Sequence, residues 1–421
     1  MSSSKLTRGI GRWDLVALFI NSIVGAGIFG LPGRVQALVG GYAVLVYLGC
    51  ALLVLLIMLC FNEVASRFTQ TGGPYLYAQE AFGPMVGFQV GWLTWLSRVF
   101  AFAALANLAA DYLAHFGGVL GTRPGRAMVI TGLVMVLAVA NVRGVRTGVA
   151  IVNVFTIGKL IPLVLFVALG VAFVEPERLR PGAWPGIGAS ASALLLLIFA
   201  FTGFEKAFIT AGETRDPQRT VPFAALTALG VVATLYILIH IVCAGTLPGL
   251  ADSSRPLADA AGQFLGPAGG LFMVVGAAVS IFGTMNGNML VAPRLLYAMA
   301  EHGQLPRPLE AVHPVRHTPH VAIWVTAAVM LVLSLSGSFI TAVAFSTLAR
   351  LFTYGLTCAA VPVLRRRDPD TVAPFRLPGG SAIPLAALLA IGWVLTTVAA
   401  VQWRDLAIAV GIGLIAAAVR R

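Results

Sequence analysis

The chain has 421 residues, 58% of them hydrophobic and only 10% charged, with a mean hydropathy of +0.91. A water-soluble domain carries roughly 25% charged residues, so a soluble enzyme or binding module is excluded and a polytopic membrane protein is implied. The net charge of +12 would suit nucleic acid. The basic residues, however, gather at the ends of apolar runs in the manner of membrane topology, which excludes a nucleic-acid partner.

Residues 1–12 form a short basic tail, and twelve apolar spans follow at 13–38, 41–66, 85–114, 126–141, 148–174, 190–212, 222–247, 265–298, 320–336, 339–364, 382–400 and 403–419. Each is near or above the ~20 residues needed to cross a bilayer. With the N-terminus inside, the inner segments hold most of the Lys and Arg. These run from Lys5, Arg8 and Arg12, through Arg67, Arg143, Arg146, Arg215 and Arg219, to Arg365, Arg366, Arg367, Arg376, Arg420 and Arg421. The outer segments hold only Arg34, Arg123, Arg126, Arg178, Arg180, Arg255 and Arg404. That asymmetry puts both termini in the cytoplasm. The first span is too long for a cleavable signal and leads straight into a second. Cys50, Cys60, Cys243 and Cys358 lie in apolar spans without metal-ligand spacing and read as small core hydrophobes.

Span 1 contains NSIVGAGIFGLPG (Asn21 to Gly33), with Gly25, Gly27, Gly30, Pro32 and Gly33 where a plain span would carry Leu or Ala. Glycine costs roughly 1 kcal/mol per residue in a helix interior and proline more. In a membrane, broken helix survives only where the freed backbone groups line a cavity or meet a ligand. A close helix-packing face is the competing reading. Span 2 is an unbroken structural helix. After it, TGGPYLYAQEAFGP (Thr71 to Pro84) is too amphipathic for plain loop, and Glu63, Arg67 and Glu80 can meet at its margin.

Span 6 breaks again at FTGFE, Phe201 to Glu205. Two interrupted helices at matching positions of two halves point to a secondary transporter with its site between the breaks. A second AQEAFGP-like segment, ADAAGQFLGPAGG (Ala258 to Gly270), repeats the first. The Gly83-Pro84 and Gly266-Pro267 pairs, and the breaks at Gly27 and Gly203, lie at similar offsets along the chain. A repeat of five spans follows, and because five is odd the second copy enters the membrane inverted. The organisation is a tail at 1–12, a first five-helix repeat at 13–174, an inverted second repeat at 190–364 and two peripheral helices at 382–419. That last pair reads as a peripheral or dimer-facing hairpin, which leaves room for a homodimer.

Five ionisable residues sit away from span ends: Arg98, Lys159, Glu205, Lys206 and Arg350. Each costs on the order of 2.5–3.5 kcal/mol at the bilayer centre, so each needs a reason. Lys159, mid-way along span 5, is either a fixed cation bonded to carbonyls of a broken helix or an amine that gains and loses a proton. In the second case its ammonium ties carbonyls of spans 1 and 8 together. Glu205 is a proton carrier or gate, or an ion partner for Arg98 or Lys206. Arg98 and Arg350 bridge a scaffold and a moving bundle, or one of them meets an anionic substrate group. His302, His313, His317 and His320 belong to a solvated loop, because Pro314 and Pro319 break any helical face and no cysteine or acid completes a metal set. No metal or cofactor is expected, and the missing phosphate loop argues against ATP-driven transport.

GAGIFGLPG in span 1, GGPYLYAQEAFGP before span 3 and FTGFEKAFITAGETRDPQRTVPFA from span 6 into span 7 resemble bacterial permeases of the amino acid–polyamine–organocation superfamily over most of spans 1–10. The resemblance implies an all-α, leucine-transporter-type fold: an inverted five-plus-five repeat with helices 1 and 6 unwound at mid-membrane. It implies an amino acid seated between them. The backbone N–H groups of Gly25, Ala26, Gly27 and Ile28 attract the carboxylate, and the carbonyls of Ile23, Phe199 and Thr202 beside Gly203 take the ammonium. In the family an aromatic one turn before the second break closes over the substrate, and Phe199 is its counterpart. Lys159 matches a lysine that occupies the place of sodium in sodium-independent members. Lys206, Arg98 and Arg350 make the interior more cationic than suits a polyamine permease.

The expected function is secondary transport of neutral amino acids across the cytoplasmic (inner) membrane, sodium-independent, coupled to protons or working by exchange. An acidic amino acid or amine carrier is the runner-up. A non-transporting sensor or accessory subunit is the rival of another class. An enzyme is not expected, since no Ser/His or paired-Asp constellation stands in the spans.

Overall fold

The computed structural model describes residues 11–68, 73–114, 116–144, 148–209, 217–367, 373 and 375–418. Lys5, Arg8, Arg146, Arg215, Arg420 and Arg421 of the inner charges lie outside these residues, as do Thr71 and Gly72 of the amphipathic segment and residues 210–216 of the span 6–7 motif.

Among the described residues every regular element is a helix or a 3-10 turn. α1 (Arg12–Ile23) stops at Val24, a 3-10 turn (Ala26–Phe29) follows, and α2 (Leu31–Val39) and α3 (Ala43–Ser66) continue. Then come α4 (Pro74–Phe82), α5 (Pro84–Ala114), α6 (Arg123–Arg143), α7 (Gly148–Gly170) and α8 (Ile187–Phe201). α9 (Glu205–Ile209), α10 (Pro217–Thr246), α11 (Pro256–Glu301), α12 (His320–Ser336), α13 (Phe339–Arg367), α14 (Ala382–Leu395) and α15 (Ala400–Ala418) complete the chain. Among the described residues seven helices are long and apolar enough to cross a membrane, and Gly158–Phe173, Ile187–Phe201, His320–Ser336 and Ala382–Leu395 are shorter apolar helices. Span 1 is split within the expected stretch, span 4 is longer than 126–141, and span 8 follows directly on a short helix from Pro256, set apart from it by the corner at Gly266.

Membrane helices need no polar face, and the outward surface is apolar. Leu45, Leu48 and Leu52 on α3, Leu385 and Leu389 on α14, and Ile408, Ile412 and Ile415 on α15 are all exposed. Such stripes would drive association in water; with lipid as solvent they are ordinary. Among the long apolar helices α5 and α13 are the most buried, and they form the centre. Side-chain bonds fix their neighbours. Asn107 donates to Ser334 O of α12 at 3.0 Å, and Ser346 of α13 donates to Ser97 O of α5 at 2.7 Å. α15 docks through Trp92, whose indole N–H donates to Ala409 O at 2.8 Å while its ring fills the space left by Gly413.

Two corners share one backbone solution. Gly83 (φ 92°, ψ 172°) and Gly266 (φ 69°, ψ −168°) turn the chain sharply, and Pro84 and Pro267 restart a long helix behind them. Only glycine takes such a φ without strain, and proline at the first helical position lacks an N–H that would be orphaned anyway.

Glu63 and Glu80 do not meet. Glu63 is fully buried at the end of α3 and takes Arg365 at 2.5 Å, Arg67 at 3.4 Å and the N–H of Leu377 at 2.8 Å. Glu80 contributes only its backbone carbonyl, which accepts from Arg367 at 2.6 Å. The carboxylate is captured by α13 and the segment before α14, partners far along the chain.

Candidate functional site

A helix that stops inside apolar surroundings leaves its last carbonyls without intrahelical donors, and the end of α1 shows where they go. Val24 N still donates to Ile20 O at 2.8 Å. Gly25 is extended (φ −109°, ψ −171°), so the next bonds fail. Lys159 Nζ donates to Asn21 O at 2.7 Å. The hydroxyl of Tyr236 lies 3.4 Å from Ile23 O. Ser22 O abuts Gly203, so closely that a Cβ on Gly203 would stand 2.2 Å from it. On the far side of the break the N–H groups of Ala26, Gly27 and Ile28 open the 3-10 turn with no side-chain cap. Tyr112 donates to Phe29 O at 2.9 Å and fixes the turn to α5.

The second break lies against the first. α8 ends at Phe201, Thr202 is extended, and Gly203 adopts φ +111° before α9 begins. Tyr236 is also 3.2 Å from Ala200 O, so one hydroxyl touches both breaks. The ring of Phe199 lies on Gly27, where a Cβ would stand 2.9 Å from Phe199 Cδ1. Gly25 is more open, its nearest foreign neighbour being the methyl of Thr284 on α11 at 4.0 Å. The expectation of a free Phe199 carbonyl is corrected. It accepts from Thr202 Oγ1 at 2.8 Å and from Thr202 N at 3.4 Å, because a hydroxyl at a helix end folds back onto the last turn.

Directly after the second break the buried ions converge. Glu205 Oε1 accepts from Arg350 at 2.8 Å, and Oε2 accepts from the hydroxyl of Tyr354 at 2.9 Å and from Gly203 N at 2.9 Å. Arg98 of α5 comes to 4.0 Å of the same carboxylate. Lys206 is the exception among the expected ion pairs, since no carboxylate among the described residues lies within salt-bridge distance of it. As the next residue on the helix it points away from its neighbour, whose oxygens α13 has already taken. Around the acid, Phe61, Phe204, Phe208 and Tyr354 form an aromatic plug with ring centroids 5.2–6.3 Å apart.

Among the described residues Lys159 makes one hydrogen bond, to Asn21 O, and none to span 8. Among the described residues no group of three or more His, Cys, Asp or Glu could hold a metal ion, and His313 and His320 only stack edge to face at 5.6 Å. A cavity of about 660 Å³ lies away from both breaks, beside Phe116, Asp252, Arg255 and Asp259.

Tyr236, Tyr354, Thr284 and Ser22 had no place in the sequence reading. Tyr354 carried a legible signal, one helical turn beyond Arg350 and so on the same face. Tyr236 is a single hydroxyl in the apolar run VVATLYILIH, which marks a polar contact without saying to what.

The arrangement juxtaposes a donor end, a seat without side chains, an aromatic ring upon it and an acceptor end. Such an arrangement can offer N–H donors to an anionic group and carbonyl acceptors to a cationic one. A profile of the family described as amino acid permease matches residues 10–418. The methylthioribose transporter of Bacillus subtilis (strain 168) is 28% identical over 433 residues, covering 98% of this chain and 93% of the relative. The branched-chain amino acid permease BcaP of the same organism is 28% identical, covering 92% and 89%. Its serine/threonine exchanger SteT is 30% identical over 396 residues, covering 91% and 89%.

Proposed function

The chain belongs to the amino acid permease family, a family of multi-pass membrane transporters and not of enzymes, and on that premise we propose that it carries neutral amino acids without sodium, driven by protons or by exchange. The observation that carries this reading is the ammonium of Lys159 bonded at 2.7 Å to Asn21 O, a carbonyl freed by the first break. A cation is needed where broken-helix carbonyls gather, and a built-in one removes the need for a bound sodium ion. If the amine loses its proton in one orientation of the broken helices, the tie is released and the bundle rocks. Proton and substrate movement are then linked through a differential affinity for two states.

Neutral substrates are supported by the names of the relatives, which carry branched-chain amino acids, serine, threonine and methylthioribose. The interior cations argue in the same direction: Arg98, Lys159, Lys206 and Arg350 outnumber the one central acid, Glu205, and like charge in a low dielectric repels a polyamine. The carboxylate is held by the N–H groups of Gly25, Ala26, Gly27 and Ile28, and the ammonium by Ile23 O and Thr202 O beside Gly203, under Phe199. The fold in this reading is the inverted five-plus-five repeat over 13–174 and 190–364. Both termini face the cytoplasm, 382–419 form a peripheral pair that can face a second copy, and the membrane is the cytoplasmic one.

Uptake of neutral amino acids into proteoliposomes, with and without an inward proton gradient and with sodium or choline, tests the proposal. The expected result is gradient-driven accumulation indifferent to sodium, lost in Lys159→Gln although that variant still binds substrate. Equal gradient-driven uptake by both proteins refutes the coupling role. Counterflow without any pH-driven uptake in the wild type identifies an exchanger with a static lysine. Robust putrescine uptake without amino acid uptake refutes the selectivity.

A further inference from the structure

Among the described residues charge does not balance around Glu205. Arg98 and Arg350 are only 4% and 6% exposed, and both face this one carboxylate. Arg350 binds it at 2.8 Å, whereas Arg98 stays at 4.0 Å, beyond hydrogen-bond distance. Nε and Nη1 of Arg98 and Nε of Arg350 have no hydrogen-bond partner. Neither has the hydroxyl of Thr347, fully buried one turn before Arg350 on α13. A guanidinium cannot shed its proton, and Lys206 beside Glu205 adds a further cation. Ordered water supplies acceptors for orphaned N–H groups but no countercharge.

We propose that Arg98, Arg350 and Thr347 hold a small monovalent inorganic anion, chloride in kind, between α5 and α13 beside Glu205. The donors are two guanidinium edges and one hydroxyl, which suit a halide. One negative charge offsets the one arginine that the carboxylate does not bind. Each of these side chains is nearly sealed from the surface, which favours a small ion over an organic molecule. The anion completes the cross-link between α5, α9 and α13, where Ser346 already bonds Ser97 O at 2.7 Å. Its occupancy therefore sets how firmly the segment after the second break is held.

The test is thermal unfolding of the purified full-length protein in detergent, at constant ionic strength, as gluconate is replaced by chloride or bromide. The expected result is a rise that grows with the logarithm of halide concentration, about 1.5 °C once the halide exceeds its dissociation constant about tenfold. Arg98→Met loses the response, and Arg404→Met, at an exposed ion pair outside the cluster, keeps it. Thr347→Val weakens the apparent halide affinity about three- to tenfold, and carries the test if Arg98→Met fails to fold. No halide response in the wild type overturns the proposal, as does an equal response in wild type, Arg98→Met and Thr347→Val. So does an Arg98-dependent response to L-glutamate with none to chloride, which would make Arg98 a contact for a substrate carboxylate.

Discussion

Gly203→Ala is the sharpest perturbation the two breaks permit. The added Cβ would lie 2.2 Å from Ser22 O and 3.1 Å from Ser22 C. Carbon and oxygen approach no closer than about 3.3 Å, so the end of α1 and the second break must part by about 1 Å. Both sides of the contact are backbone, and no rotamer change relieves it. The φ of +111° adds backbone strain of about 1–3 kcal/mol for any residue with a Cβ. At about 1.4 kcal/mol per decade, a site needing both breaks in register loses roughly ten- to hundredfold in affinity. Binding of a radiolabelled neutral amino acid to purified protein measures this, with size-exclusion profiles reporting the fold. Gly132→Ala on α6 is the control, since its Cβ meets nothing within 4 Å and the change should be neutral or stabilising by about 0.4–1 kcal/mol. Affinity of Gly203→Ala within about threefold of wild type would refute the claim that the site depends on this contact.

Glu205→Gln removes the countercharge of Arg350 and Arg98 and should destabilise the protein by about 3–5 kcal/mol. Glu205→Gln/Arg350→Gln should recover a large part of that loss, and a double-mutant coupling near zero in thermal unfolding argues against the cluster. Tyr236→Phe should reduce stability by about 0.5–1.5 kcal/mol, one net hydrogen bond; unchanged stability would mean that the hydroxyl holds neither carbonyl. Gly27→Leu, whose side chain would displace the Phe199 ring, should leave the protein in the membrane but abolish substrate binding. Wild-type affinity in that variant removes the seat from Gly27.

The chain breaks and the two Gly-Pro corners were legible because glycine and proline are local signals: they state a backbone conformation wherever they stand. The buried charges were legible as a problem but not as a solution. Arg98 and Lys206 were the candidates to pair with Glu205, and Arg350 was read as a bridge between scaffold and bundle. Only the packing of α5 and α13 decides that Arg350 takes the oxygen, Arg98 stands off and Lys206 is left out. Glu63 illustrates the same limit, because its partners Arg365 and Leu377 are more than 300 residues away in sequence and no periodicity links them. Thr202 shows a subtler one. Its hydroxyl closes the carbonyl of Phe199 by bending back a single turn, a choice between water, substrate and self that composition does not reveal.

The hydroxyl of Tyr236 stands within reach of Ile23 O and Ala200 O, at 3.4 and 3.2 Å, yet a phenol owns a single hydrogen. At any instant it satisfies one carbonyl and leaves the other open. The two breaks thus share a permanent deficit of one donor, which moves from one helix to the other as a bond rotates through little more than the angle between them. An incoming ammonium group, with three hydrogens to give, is the simplest visitor that ends the shortage.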